Sequence, residues 1–216
     1  MRKFLMLLMM LGLICLNAAA LAGAPAAENN AANAAPRPFS ERLNKAAAEE
    51  NGAKAAVLYV NNANTTYDTD IDRAVLENVQ AALKTSACEY IDGTEFLRQL
   101  NENGISDITQ AERADIADVF KGSGVDYVVL VQVEPFVRKE KVTVFTLGKE
   151  MTAVVPFKIF DVKSGKYIYN GKFTELAKDS SVIGDVGNKS VALKALASVN
   201  AKISGVIASR LAQGKN

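Results

Sequence analysis

The run Tyr127-Val-Val-Leu-Val131 constrains the fold more than any other segment, because all of its side chains are hydrophobic. A strand with one solvated face alternates polar and apolar residues, whereas a strand covered on both faces does not. The run therefore predicts a central strand with both of its faces covered. Ala55 to Val60 has the same character and ends at Asn61-Asn62, so it predicts another buried strand.

Helical periodicity separates these predicted strands. An apolar i, i+4 stripe follows the first strand, and acidic residues precede it where negative charge suits a helix N-terminus. The stripe is Ile71, Val75, Val79 and Leu83, and the acidic residues are Asp68 and Asp70. Cys88 to Ile91 predicts a short strand, Thr94 caps a helix that Gly104 ends, and about Gln110 to Lys121 predicts a further helix. The order β-α-β-α-α-β implies parallel strands with right-handed crossovers.

The pattern changes after Pro135, where predicted strands follow one another without room for a helix. They are Val142 to Leu147, Thr152 to Phe160 and Lys166 to Thr174, with a hairpin loop at Asp161 to Gly165. Such short connections require antiparallel pairing. Simple alternation in the last strand places Tyr167, Tyr169 and Phe173 on one face, and Ile168, Asn170, Lys172 and Thr174 on the other.

A polar loop, Asp179 to Asn188, leads into a long final helix, Ser190 to Leu211, with Ser190 as its N-cap. The predicted class is therefore α/β (α+β). It has a single mixed sheet with a parallel first half and an antiparallel second half. Helices pack on this sheet, and the C-terminal helix is long.

Residues 1–22 have the organisation of a secretory signal peptide. Arg2 and Lys3 provide a positive start, and Phe4 to Leu16 is an apolar run that small residues follow. The run is too short to span a bilayer as a helix. We therefore expect cleavage after about Ala22 and export to the periplasm or out of the cell, with an uncleaved membrane anchor as the alternative.

Cys15 is not expected to carry a lipid, because Ile14 precedes it where a lipobox has a small residue. Residues 23–38 are rich in Ala, Asn and Pro and bury too little to offset the entropy of ordering, so they predict a flexible spacer. Residues 39–53 predict a short helix or linker, and residues 54–212 a single globular domain. No integral membrane span is expected after cleavage of the signal.

Composition excludes several classes of site. The chain has no histidine, which excludes Ser-His-Asp and Cys-His catalysis and His-ligated zinc. Cys88 is the one cysteine left after cleavage, so no intrachain disulfide is expected. It predicts a small buried hydrophobe at the start of a strand, with an intermolecular disulfide as the alternative.

The net charge gives no footprint for nucleic acid. The 25 basic and 24 acidic residues of the whole chain become 23 and 24 once Arg2 and Lys3 are removed, a net charge of −1. A nucleic-acid-binding domain carries a basic surface to neutralise phosphates. No nucleic-acid partner is therefore expected.

Two segments imitate ligand-binding loops but fail on spacing. Gly184 to Ser190 opens a helix like a phosphate loop, yet only two residues separate its glycines where four are required. Asp68 to Asp72 begins like a calcium loop, but Arg73 and Val79 stand where glycine and glutamate are required. The sequence therefore assigns no catalytic, cofactor-binding or metal-ligating residue.

Three segments together resemble a known family. They are Gly124 to Pro135, a glycine-led strand after a helix; Asp161 to Lys166, a hairpin between late strands; and the polar loop that leads into the helix from Ser190 to Leu211. They resemble the periplasmic α/β domain shared by the curli-secretion protein CsgG, the TolB N-terminal domain and the LpoB-type activators of peptidoglycan synthases. The resemblance covers most of the mature chain and implies no catalytic residues.

The first functional hypothesis is an exported envelope accessory or assembly protein that acts by protein–protein contact and is not an enzyme. Its expected partner is an envelope protein or a second copy of the chain. Strand edges invite such pairing, so this hypothesis predicts an exposed apolar or aromatic patch near the antiparallel strands.

Two alternatives remain open. One is an outer-membrane-associated secretion oligomer related to CsgG, although the hairpin from about Lys141 to Phe160, with Lys149 and Glu150 at its tip, has arms near the minimum for crossing a membrane. The other is a carboxylate-based hydrolase, which requires two acidic side chains facing each other. The candidate carboxylates are Glu134, Glu140, Glu150 and Asp161.

Overall fold

A computed structural model describes residues 52–142, 147–181 and 187–211 of the 216-residue chain. The predictions for residues 1–51, which are the signal peptide, the unlipidated Cys15, the spacer and the short helix, lie outside these residues. The strands are β1 (Ala53–Asn61), β2 (Cys88–Asp92), β3 (Tyr127–Val133), β4 (Val137–Val142), β5 (Leu147–Asp161) and β6 (Lys166–Ser181). The helices are α1 (Asp68–Thr85), α2 (Thr94–Glu102), α3 (Arg113–Phe120) and α4 (Asn188–Leu211).

The described strands form one mixed six-stranded sheet. β2, β1 and β3 are parallel neighbours in that order. β5 runs antiparallel to β3 and then to β4 along one of its edges, and antiparallel to β6 along the other. The predicted fold class, parallel in its first half and antiparallel in its second, is therefore confirmed.

Helices cover the two faces of the sheet unequally. We call the face under α1 and α4 the inner face; its core includes Val131, Val155 and Phe157, all with no exposed surface. On the outer face, α2 and α3 bury Leu58 and Leu130. β3 is thus covered on both sides, as its apolar run predicts. Each such buried aliphatic side chain contributes about 1.5–3 kcal/mol of transfer free energy.

The C-terminal helix α4 is a core helix. By length and composition it is the one described helix apolar enough to cross a membrane, since an 18-residue stretch of it has a mean hydropathy of 1.4. Its stripe through Leu196, Val199, Ile203 and Ile207 is nevertheless fully buried against the inner face. The helix begins at Asn188, so the prediction that Ser190 is its N-cap is wrong.

Two other predicted helix starts differ from the structure. Thr94 was predicted to cap α2, but it is the first residue of the helix. Asp92 Oδ1 accepts hydrogen bonds from the Thr94 backbone N–H at 3.0 Å and from Thr94 Oγ1 at 2.7 Å. α3 begins at Arg113 rather than at about Gln110. The reason is a turn in which the Asp107 carboxylate accepts from the backbone and hydroxyl of Thr109, which holds this segment out of a helix.

A bulge separates β3 from β4. Val131 pairs with Phe157, whereas Val137 pairs with Thr152, so the register shifts by one residue across Glu134–Phe136. Because side chains alternate between faces, one extra residue reverses the orientation of everything that follows. Phe136 therefore packs toward the inner core and Val137 is turned to the outer face.

A second bulge corrects the predicted faces of β6. Ile159 pairs with Tyr169, but the adjacent Phe160 pairs with Tyr167, which leaves Ile168 as the extra residue. Tyr167 therefore lies on the outer face against Phe160 and does not share the inner face with Tyr169. Ile168, predicted on the opposite face from Tyr169, packs against the inner core.

The predicted turn around Lys149 and Glu150 is also wrong. Both residues lie inside β5, where Glu150 pairs with Lys139 of β4 and Lys178 of β6. β5 is therefore one continuous strand from Leu147 to Asp161. Residues 143–146 lie outside the described residues.

Candidate interaction surface

Part of the outer face has no helix over it. The α2 and α3 helices pack above β1 and β3, and none of the described helices extends over β4, the first half of β5 and the central part of β6. We call this region the open face and define it by Val137, Thr152, Val154, Thr174 and Leu176. Val137 is 52% exposed and Leu176 is 49% exposed. They are the large hydrophobic residues that the described structure leaves in solvent.

Strand register makes these residues one continuous patch. Val137 and Leu176 both pair with Thr152, from opposite sides of β5, and Val154 pairs with Thr174 one step along. Directly paired residues in a sheet have Cβ atoms about 4.5–5.5 Å apart. The sequence hypothesis of an exposed apolar patch near the antiparallel strands thus has specific residues, which alternation alone did not identify.

The long strand β6 borders the open face and forms an edge of the sheet. All of its 16 residues except the bulged Ile168 pair with β5, and no other described strand pairs with it. Along an antiparallel edge strand, every second residue directs its N–H and C=O away from the sheet. β6 contains no proline, so every residue keeps its N–H donor. We call this border the free edge.

Charges are distributed unequally on the two sides of the free edge. On its inner side, Glu175 is bound by Lys202 and Asp179 by Lys194, both from α4. The Lys194 ammonium donates to Asp179 and holds the pKa of that carboxyl below its usual value. On its outer side, Lys178 lies 3.0 Å from the buried Glu150, while Lys172 pairs in register with Pro156.

A groove of about 670 Å³ between α3 and the start of β6 adjoins the open face. Two of its polar side chains bind backbone carbonyls: Lys158 Nζ donates to the Thr109 carbonyl at 2.6 Å, and the Tyr167 hydroxyl donates to the Ala111 carbonyl at 3.1 Å. Burial lowers the pKa of Lys158 and raises that of Tyr167. These bonds attach the loop before α3 to the sheet.

The candidate carboxylates are not brought together. Glu150 and Asp161 lie on the same strand, roughly 36 Å apart at the usual rise of a strand. Glu140 of β4 is an exposed partner of Arg138, and Glu134 accepts from Gln132 at 2.8 Å in the bulge. A carboxylate-based hydrolase would need two of these groups on one substrate.

In the segment that imitates a calcium loop, each of the three carboxylates binds a different group of the protein. Asp68 accepts from the Thr65 amide at 2.9 Å, and Asp72 accepts from the Tyr59 hydroxyl at 2.8 Å. Asp70 forms an ion pair with Lys189 at 2.5 Å. Lys189 is the lysine of the segment that imitates a phosphate loop, so this ion pair occupies a charged residue of each segment. Among the residues that the structure describes, no group of three or more His, Cys, Asp or Glu is placed to hold a metal ion.

Cys88 lies at the start of β2 and is 7% exposed, which agrees with its prediction as a small buried hydrophobe. Its sulfur lies 3.7 Å from the Ser86 carbonyl. Burial in the core leaves this thiol poorly placed for an intermolecular disulfide.

No protein-family model and no curated protein matches the sequence. The chain is similar in structure to lipoprotein GNA1162 of Neisseria meningitidis, with 14% identity, a TM-score of 0.39, and coverage of 69% of this chain and 97% of that one. It is also similar to protein CT253 of Chlamydia trachomatis, with 14% identity, a TM-score of 0.45, and coverage of 73% of this chain and 99% of that one. The similarity to the LpoB C-terminal domain of Salmonella enterica has 16% identity, a TM-score of 0.33, and coverage of 57% of this chain and 82% of that one.

The resemblance to LpoB-type domains expected from the sequence thus has a counterpart among solved structures, while that to CsgG and the TolB N-terminal domain stays a prediction. Identities and TM-scores this low carry no argument about function. The functional argument therefore depends on the open face and the free edge themselves.

Proposed function

We propose that this chain is an exported cell-envelope protein that acts by binding another protein along the free edge and open face. The observation that supports this most directly is the exposure of Val137 and Leu176 beside a long edge strand. Main-chain hydrogen bonds to an added strand supply affinity, and alternate side-chain contacts supply specificity. Exposed apolar side chains next to such an edge add burial when the strand docks.

Export is part of the same proposal and rests on the sequence of residues 1–22, which has the organisation of a signal peptide. The proposal assigns no catalytic role. Glu140 and Glu150 lie at neighbouring register positions of β4 and β5, but their side chains are on opposite faces of the sheet. Glu150 and Asp161 are far apart along β5. This placement supports the absence of a catalytic role from the proposal, because acid/base chemistry needs paired groups at one position.

Site-specific crosslinking in the living cell tests the proposal. A photoreactive amino acid replaces Thr174 on the free edge of the full chain, and in a matched control it replaces Gln80, which is exposed on α1. We expect Thr174 to give one defined crosslinked protein, identified by mass spectrometry, and Gln80 to give none. The same crosslink should disappear when Leu176→Lys places a charge in the patch.

Two results would contradict the proposal. One is equal crosslinking from Thr174 and Gln80. The other is a Leu176→Lys variant that keeps its crosslink while its unfolding curve matches that of the unsubstituted protein. If the crosslinked protein is a second copy of the chain, the proposal narrows to self-association, which a doubled mass in solution would verify.

A further inference from the structure

We infer that the free edge selects an extended acidic segment of its partner, with carboxylates opposite Lys172 and Lys178 and an apolar side chain opposite Leu176. This inference rests on the proposed function, since it specifies what the edge binds. It follows from the charges along β6 and from the ion pairs that already use some of them.

The outer side of the free edge carries positive charge alone. Its residues are Asn170, Lys172, Thr174, Leu176, Lys178 and Ser180, with two lysines and no acid. Lys172 is exposed, and the residue beside it in β5 is Pro156, which offers no carboxylate. Lys178 forms an ion pair with Glu150, but 60% of its side chain remains exposed. An added strand would meet these lysines as its nearest cross-strand neighbours.

The inner side of the free edge offers no competing charge. Its two acids, Glu175 and Asp179, are bound by Lys202 and Lys194 of α4. A basic partner strand would therefore find its expected partners occupied on one side and meet like charge on the other. Directly opposed like charges destabilise strand pairing, and opposite charges stabilise it.

Charge also disfavours a second copy as the occupant. Two β6 strands pairing edge to edge would bring four lysines and no acid to the outer side of the seam, because that side of β6 contains none. Edge lysines of this kind also discourage aggregation between like chains. An acidic partner converts the same lysines into favourable contacts.

Spacing makes the inference specific. Lys172 and Lys178 are six residues apart, which corresponds to roughly 20 Å along a strand. Leu176 lies between them on the same side, two residues from Lys178. The complementary segment thus has two carboxylates six positions apart with an apolar side chain between them, and every other residue turned to the opposite side.

A peptide with this pattern tests the inference on the full mature chain. The probe is a dye-labelled peptide Glu-Thr-Val-Thr-Val-Thr-Glu with capped ends, symmetric in its charges so that either strand direction satisfies it. The matched control replaces both Glu by Lys. We expect the acidic peptide to bind about tenfold more tightly in a fluorescence anisotropy titration, with a preference that salt weakens.

Substitutions in the protein complete the test. Lys172→Glu, at an exposed position, should abolish the preference for the acidic peptide. Lys121→Glu makes the same charge change at an exposed site after α3 and should leave it intact. Equal binding of the two peptides, no binding of the acidic one, or a preference unchanged by Lys172→Glu would each overturn the inference. The proposed function fails separately, if crosslinking from Thr174 does not exceed that from Gln80.

Discussion

Val137 and Leu176 are both paired with Thr152, one from each side of β5. They are brought together by register, because nothing in their separation of 39 positions along the chain makes them neighbours. A hydroxyl-bearing side chain between two exposed aliphatic ones gives a flat surface without large protrusions. A surface of this kind suits a strand or sheet of a partner better than it suits a small molecule, which needs a concave site.

Truncation of this patch should leave the domain as stable as before. Leu176→Ala removes a half-exposed side chain, so we expect its free energy of unfolding to change by no more than about 0.5 kcal/mol. Ile159→Ala, at a position with no exposed surface in the same sheet, should cost about 2–5 kcal/mol. Urea unfolding of both variants compares them. A large loss for Leu176→Ala would place this residue in the core and remove the basis for the open face.

The apolar runs were sufficient to predict the strands of the parallel half. The centres of β1 and β3 are covered on both faces, so the residues from Ala55 to Leu58 and from Val128 to Val131 are all hydrophobic. The antiparallel half was harder to predict because β4, the first half of β5 and the central part of β6 are covered by helices on one face only. The charged residues at Lys149 and Glu150 look like a turn, yet cross-strand partners bury them inside β5.

The interaction surface depends on two β-bulges whose positions cannot be predicted from the residue types. A bulge adds one residue to one strand, and its position is set by packing on both sides of the sheet rather than by local preference. At Glu134–Phe136 it turns Val137 outward, and at Ile168 it separates Tyr167 from Tyr169. Strict alternation therefore placed Tyr167 on the wrong face and left the patch without named residues.

The second bulge gives Tyr167 a structural role that Tyr169 lacks. The Tyr167 hydroxyl donates to the Ala111 carbonyl at 3.1 Å and attaches the loop before α3 to the sheet. Tyr167→Phe removes this bond and should cost about 0.5–1.5 kcal/mol of unfolding free energy. Tyr169→Phe is the matched control, since the Tyr169 ring packs on Phe157 and the hydroxyl is not needed for that contact. Equal costs for the two variants would contradict the assignment of Tyr167 to the outer face.

Alkaline titration should distinguish Tyr59 from an ordinary tyrosine. Burial and its bond to Asp72 raise the pKa of Tyr59 well above the usual value of about 10. A raised pKa of the folded state stabilises the protein below the unfolded pKa, and this stability is lost as the pH rises above it. We expect the phenolate absorbance of Tyr59 to appear together with unfolding. Tyr59→Phe should remove one late-titrating phenol, and an early loss of one instead would show that Tyr59 is solvated.

Acid should release α4 from its ion pairs. Lys189 binds Asp70 and Lys194 binds Asp179, and each ammonium holds the pKa of its carboxyl below the usual value. A carboxyl with a lowered pKa stabilises the fold above its unfolded pKa of about 3.9, and this stability is lost as the pH falls through the lower value of the folded state.

At about pH 7 the double variant Lys189→Gln, Lys194→Gln should therefore have a lower midpoint urea concentration of unfolding than the unsubstituted protein. Near pH 2 the two midpoints should be the same. The effect should be small and should shrink in high salt, because these pairs are exposed. Lys163→Gln, in the exposed hairpin loop, is the control with the same loss of charge. A difference that persists unchanged at low pH would mean that the lysines act through packing of their side-chain stems and not through Asp70 and Asp179.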